Sequence, residues 1–162
     1  MKWDIVGEPK VSILIPNKDH TEDLEKCLHS IWTKTEWEHF EVIVVENNST
    51  DPATFAYYKK AQQRYDGLRV VTYPKKGFNF SGINNFGRKY ATGEYLLLLN
   101  NDVEVRSGEW LTELLRQCAH PGGAAVCGAM LWYPDETIQH AGVITGLGGY
   151  AGHSHKYHKR GG

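Results

Sequence analysis

Asn100, Asn101 and Asp102 stand directly behind the apolar run Tyr95-Leu96-Leu97-Leu98-Leu99. Four leucines behind a tyrosine read as a short, fully buried strand. Two amides and a carboxylate at its tip offer hard oxygen donors, which suit a divalent cation holding a phosphate-bearing substrate. Two other apolar runs also end in polar groups. Val11–Ile15 leads into Pro16-Asn17-Lys18-Asp19, and Glu41–Val45 leads into Glu46-Asn47-Asn48-Ser49-Thr50-Asp51. In open α/β sheets, ligands bind at the carboxyl ends of the strands. A carboxylate at the end of the second strand can accept hydrogen bonds from a base or ribose. Glu46 is favoured for that role, because an acid continuing an apolar strand is costly unless paired or exposed at a site. Asp51, Ser49 and Thr50 read equally well as caps of the next helix.

These strand ends need a scaffold that brings them to one edge. Leu24, Cys27, Leu28, Ile31 and Trp32 form the stripe of an amphipathic helix after the first strand, with Thr21 as N-cap. Pro52 suits the first position of a second helix, which runs to about Tyr65 and ends near Gly67. Leu68–Tyr73 is a third strand. Ser81 caps a short helix with Ile83, Phe86 and Tyr90 inward and Asn84, Asn85 and Arg88 on other faces. Ser107 opens a further helix, and Ala124–Met130 and Ile138–Thr145 read as later strands. The alternation of strand and helix argues for an α/β chain with a mainly parallel sheet and helices on both faces.

Composition narrows the field. At 162 residues the chain is expected to form a single domain, 1–162. A net charge of −1 gives no global field to recruit nucleic acid. No stretch is long and apolar enough to span a bilayer, and no secretory signal stands at the start. Three widely spaced cysteines make neither a disulfide framework nor a zinc pattern, and fit core packing in a reducing compartment. A cytoplasmic location is therefore expected, with a peripheral place at the inner face of the membrane as a variant. There is no GxGxxG and no P-loop.

Taken together, Val11–Pro16, Val44–Asp51, Asn85-Phe86-Gly87 and Ala91–Tyr95 through Asn100-Asn101-Asp102 resemble the family 2 glycosyltransferases, with their GT-A fold. The bacterial enzymes that build rhamnose-rich and other surface polysaccharides of the cell envelope are most similar. The resemblance covers nearly the whole chain. It implies a Rossmann-like sheet flanked by helices, incomplete at the C-terminus, with the acceptor-binding half missing. It implies transfer of a sugar from a UDP- or dTDP-linked donor to a glycan or lipid-linked acceptor, with inversion. Glu46 would contact the base, with Pro16, Asn17 and Asp19 lining the same pocket and Asn48, Ser49, Asn85 and Asn101 also binding donor. Asp102 matches the last acid of the DXD motif that holds Mg²⁺ or Mn²⁺, and Asn100 takes the place of its first acid. Asn84 stands where many members have an arginine, so the phosphate contact falls to an amide, Lys75, Lys76 or Arg88.

No base is evident. Asp135 and Glu136 lie in a Tyr-Pro-Asp-Glu turn, where acids are usually solvated. His140, His153, His155 and His158 crowd the C-terminal region, either near a phosphate or metal or on a solvated chain end. The apolar and glycine-rich segment after about Thr145 is expected to be loose or self-associated. Two rival functions remain: a nucleotide- or metal-binding module without transfer activity, and a sugar-phosphate nucleotidyltransferase. The second usually carries a glycine-rich loop with a basic residue after its first strand, which Pro16-Asn17-Lys18-Asp19 lacks.

Overall fold

The structure, a computed structural model, describes residues 3–145 and 151–159. It divides into two compact units. The first is Asp4–Glu113 and the second comprises Met1–Trp3 with Leu114–Gly162.

The first unit is a four-stranded parallel sheet in the order β3-β2-β1-β4. Its strands are β1 (Val11–Asn17), β2 (Phe40–Glu46), β3 (Leu68–Thr72) and β4 (Tyr95–Leu98). The connecting helices are α1 (Thr21–Lys34), α2 (Pro52–Arg64) and α3 (Phe80–Gly87), the last extended by one 3₁₀ turn, Arg88–Tyr90. Leu14, Ile43, Val45, Tyr73 and Ile83 pack together where α3 lies on one face of the sheet. Gly87 permits that approach, since a Cβ there would meet Val45 Cγ2 at 2.7 Å. Ile13, Ile15, Val42 and Val44 alternate onto the other face and are also buried. A sheet buried on both faces explains why β1 and β2 read as continuous apolar runs.

Several element ends differ from the sequence reading. β1 passes through Pro16 instead of stopping before it. Leu14 C=O accepts from Leu99 N on the β4 side. Two residues on, the proline nitrogen faces that same side, past the last β1–β4 pair at Leu14–Leu98. Its missing N–H therefore breaks no ladder bond. Thr21 is the first residue of α1 rather than its cap; His20 occupies the cap position in the left-handed region and makes no side-chain cap bond. Asn79, not Ser81, caps α3 by accepting from Gly82 N. Asp51 caps α2 by accepting from Ala53 N. Tyr90 is exposed rather than inward.

The leucine strand is not fully buried. β4 has a sheet partner only on the β1 side among the described residues. Leu96 and Leu98 are 43% and 52% exposed. The apolar run therefore behaves as a half-covered edge strand, with Tyr95 and Leu97 on the sheltered face.

At the opposite end of the sheet a buried carboxylate ties four segments together. Glu41 accepts from Ser12 Oγ at 2.6 Å, Thr92 N at 2.7 Å and Arg69 at 2.8 Å. Lys10 Nζ lies 3.3 Å away. Burial alone would raise the Glu41 pKa, but the hydrogen bonds from Ser12 and Thr92 outweigh it and hold the group down at about 2. A carboxyl lowered in the folded state contributes stability that is complete above its unfolded pKa and is lost as pH falls through the folded value. Stability should therefore drop between about pH 4.5 and about pH 2, by on the order of 3 kcal/mol from this group. Urea midpoints across that range check this. Glu41→Gln should be less stable at neutral pH and show a flatter acid limb.

The second unit holds the end of α4 (Trp110–Cys118), a pair β5 (Leu131–Trp132) with β6 (Ile138–His140), and a pair β7 (Val143–Thr145) with β8 (Ala151–His153). Both pairs are antiparallel. The helix expected to open at Ser107 begins at Trp110, whose N–H donates to Ser107 O. The expected strand 124–130 is irregular, and 138–145 is divided at Ala141-Gly142 into β6 and β7. Gly142 lies at φ +116, a conformation closed to most side chains, and breaks the strand there. Residues 146–150 and 160–162, on which part of the expected self-association rests, lie outside the described residues.

Candidate functional site

The parallel topology brings the carboxyl ends of β1, β2 and β4 to one edge, and one hydrogen-bonded row runs across them. Asn101 Nδ2 donates to Asn17 Oδ1 at 2.7 Å. Asn17 Nδ2 donates to Tyr58 OH at 2.8 Å, and Tyr58 OH donates to Glu46 Oε2 at 2.7 Å. Glu46 Oε1 accepts from Ser49 N at 2.6 Å, and Oε2 from Ser49 Oγ at 2.5 Å. Ser49 Oγ also accepts from Asp19 N at 2.8 Å. Asp19 Oδ1 closes the row by accepting from Thr50 N at 2.8 Å and Asp51 N at 2.9 Å. Those two backbone donors, Asp51 first, hold the Asp19 carboxyl below its usual range.

Tyr58 is the residue that sequence reasoning missed. It lies in α2, 41 residues from Asn17 and 12 from Glu46. Its aromatic ring reads as ordinary helix core, and no local pattern marks its hydroxyl. Burial, together with the Glu46 carboxylate, pushes its pKa up, so the phenol stays protonated and can donate.

Glu46 is buried at the end of β2. It is 2% exposed and both its oxygens are engaged by Ser49 and Tyr58. The cost of burying an acid at the strand end is offset by pairing inside the protein. Asn17 is also buried, whereas Pro16 is half-buried. Asn48 adopts φ +59 and donates to Asn47 Oδ1 and Lys75 O. Asn85 is exposed on α3. Asn84 is buried and donates to Phe80 O, and its own Oδ1 has no partner among the described residues. Lys75, Lys76 and Arg88 are exposed.

Beside the row lies a cleft of about 190 Å³. Asn17, Lys18, His20, Asn47 and Asn101 give it polar groups, and Pro16, Ile83 and Phe78 apolar ones. Phe78 is 76% exposed, an aromatic face open to a planar ligand. Asn100 and Asp102 are exposed just beyond the end of β4. No three His, Cys, Asp or Glu side chains group to hold a metal among those residues. A cation at this edge would therefore rest on Asp102 and Asn100 together with oxygens of its ligand. One or two carboxylates plus substrate phosphates is the usual holding of Mg²⁺.

The model of Glycosyl transferase family 2 matches residues 12–159. The chain belongs to that family. The family 2 chain is 44% identical over 153 residues to the O-antigen biosynthesis protein RfbC of Myxococcus xanthus, covering 94% of this chain and 12% of that protein. Its fold is that of the mannosyltransferase PcManGT from Pyrobaculum calidifontis, solved in complex with GDP-Man and Mn²⁺. The TM-score is 0.63 at 21% identity, covering 75% of this chain and 36% of that one. S. aureus TarS 1–349, solved in complex with UDP-GlcNAc, matches with TM-score 0.54 and 26% identity, covering 64% and 29% of the two chains. The family 2 domain thus has the GT-A fold, and it spans well under half the length of these relatives. No helix among the described residues is long and apolar enough to cross a membrane.

The second unit has its own hollow, about 380 Å³, lined by Gly128, Ala129, Met130, His140, Ala141 and Gly142. Among its described lining residues His140 is the one ionisable side chain, and none is a carboxylate. His140 Nδ1 and His153 Nδ1 lie 2.9 Å apart, and the His155 and His158 rings meet edge to face. Asp135 Oδ1 accepts from Thr137 N and Oγ1, a turn contact that holds its carboxyl below the usual range. That contact fits the reading of Asp135 as a turn acid.

Proposed function

We propose that the Asp4–Glu113 unit binds a nucleoside diphosphate sugar across the carboxyl edge of its sheet. The whole protein would transfer that sugar, with inversion, to a surface-glycan or lipid-linked acceptor. The observation that carries this reading is the continuous row from Asn101 through Asn17 and Tyr58 to Glu46, Ser49 and Asp19. It holds three strand ends in fixed register beside the cleft. The base and ribose of a UDP- or dTDP-linked donor would lie in the cleft, against Pro16 and Phe78, with Asn47 and Asn101 offering amide groups. The diphosphate would extend toward Asn100 and Asp102. Asn85, Lys75, Lys76 and Arg88 are exposed, where they would reach phosphate oxygens.

In this reading Glu46 positions the site rather than touching the base, because it is 2% exposed and its oxygens already accept from Ser49 and Tyr58. Asn48 and Ser49 shape the loop, and Asp19 clamps the β1–α1 turn to the start of α2. Asp102 and Asn100 would hold Mg²⁺ or Mn²⁺, which when bound would stabilise the charge of the departing nucleoside diphosphate. No residue is assigned as the base that takes the acceptor's proton.

Calorimetry with UDP, dTDP and GDP, each with and without Mn²⁺, tests the reading. The expected result is saturable binding of a uridine or thymidine diphosphate that strengthens with Mn²⁺. Absence of binding by all three would overturn donor recognition. Binding without any transfer by the full-length protein would favour the non-catalytic module.

A further inference from the structure

α4 ends at Cys118 and the chain turns back at once. Ala119 N donates to Leu115 O at 2.7 Å, and Gly123 N to His120 O at 2.9 Å. Gly122 lies at φ +81, in the left-handed region that favours glycine. A Cβ on Gly123 would sit 2.4 Å from the Cys118 carbonyl oxygen, so only glycine allows so close a return. The chain then runs back along the helix end, with Ala124 N donating to Gln117 O at 2.8 Å. Three residues later Cys127 Sγ arrives 3.3 Å from Cys118 Sγ and 3.5 Å from Leu114 O. Both thiols are half-buried, whereas Cys27 is fully buried in the other unit.

We propose that Cys118 and Cys127 form a reversible dithiol–disulfide pair that locks the 119–126 loop to the end of α4 when oxidised. A disulfide holds its sulfurs about 2.0 Å apart, so the pair needs about 1.3 Å of closure. The oxidant is a small-molecule disulfide. The Cys118 thiolate attacks one of its sulfurs, breaking that S–S bond and expelling one thiolate. Cys127 then gives its proton to solvent and attacks the Cys118 sulfur, expelling the second thiolate. The protein loses two hydrogens and the oxidant becomes two thiols. Burial, then the neighbouring Cys118 sulfur, pushes Cys127 up to about 11. Burial pushes Cys27 up to about 12, which makes it an internal control.

The test treats the native chain with oxidised glutathione, unfolds it, alkylates the remaining thiols and digests with trypsin. Cleavage after Arg116 and Lys156 leaves Cys118 and Cys127 in one peptide, 117–156, and cleavage after Lys26 and Lys34 isolates Cys27 in 27–34. The expected result is a 117–156 peptide lighter by two hydrogens and unalkylated, with Cys27 alkylated. Dithiothreitol should restore both thiols. The bond should form faster in the native chain than in urea, and Gly123→Ala should slow it. Three alkylated cysteines would overturn the proposal. So would retained glutathione on Cys118 or Cys127, dimers linked through either, or equal closure rates in native and unfolded wild-type chain. The wild-type result decides even if the Gly123 variant fails to fold.

Discussion

Asp102→Ala should abolish the Mn²⁺-dependent part of nucleoside diphosphate binding and leave the fold intact. Asp102 is exposed just beyond the end of β4. Truncating an exposed side chain should cost stability no more than about 0.5 kcal/mol, as for ordinary surface changes. Its cost to metal-linked affinity should be large. Changing groups that merely support a metal ligand costs about 10–100-fold, so losing the single carboxylate of this site should cost at least that. Calorimetry at matched Mn²⁺ concentrations reads the difference. Metal-free affinity should be unchanged. If the variant keeps its Mn²⁺ enhancement, Asp102 is not the ligand and the assignment falls with it.

The second large effect should come from Glu46→Ala, and it should appear first in stability. The substitution leaves Tyr58 OH and Ser49 without their acceptor in a buried setting, a loss of about 2–4 kcal/mol by the usual cost of unsatisfied buried groups. Urea unfolding measures it. Nucleotide affinity should weaken to the same degree with and without Mn²⁺, because the loops lose register while the metal edge is untouched. A loss confined to Mn²⁺ conditions would instead place Glu46 at the metal. Tyr58→Phe should lower stability less, and the double variant should fall short of the sum of the two. Such coupling is expected at about 0.5–3 kcal/mol for residues in one hydrogen-bonded network. Strict additivity would mean that the row is not a unit.

The contrast between these two residues shows how the sequence and the tertiary structure divide the information. β-Branched runs at Val11–Ile15 and Glu41–Val45, helical spacing at Leu24–Trp32, and Pro52 behind Asp51 each act over a few residues. They determine strand, helix and turn locally, and the strand–helix alternation then requires a parallel sheet whose polar ends share one edge. That is why the α/β architecture and the gathering of Asn17, Glu46 and Asn101 were legible before any coordinates. Strand order was not. The Tyr95–Leu99 run has the same composition whether it lies in mid-sheet or at an edge, and only the order β3-β2-β1-β4 leaves Leu96 and Leu98 exposed.

Pairing between distant side chains was hidden for the same reason. An acid at a strand end is compatible with a ligand or with an internal partner, and the choice rests on whether a donor such as Tyr58 arrives from another element. Glu41 meets Thr92 across 51 residues of sequence, and Asn17 meets Asn101 across 84. Cys118 and Cys127 are close in sequence, yet their contact depends on the left-handed turn at Gly122 and the narrow return at Gly123. Burial pattern is a local property that a single chain writes into its residue types. Hydrogen-bond partnership depends on direction and distance to within a few tenths of an ångström, and packing alone supplies that precision.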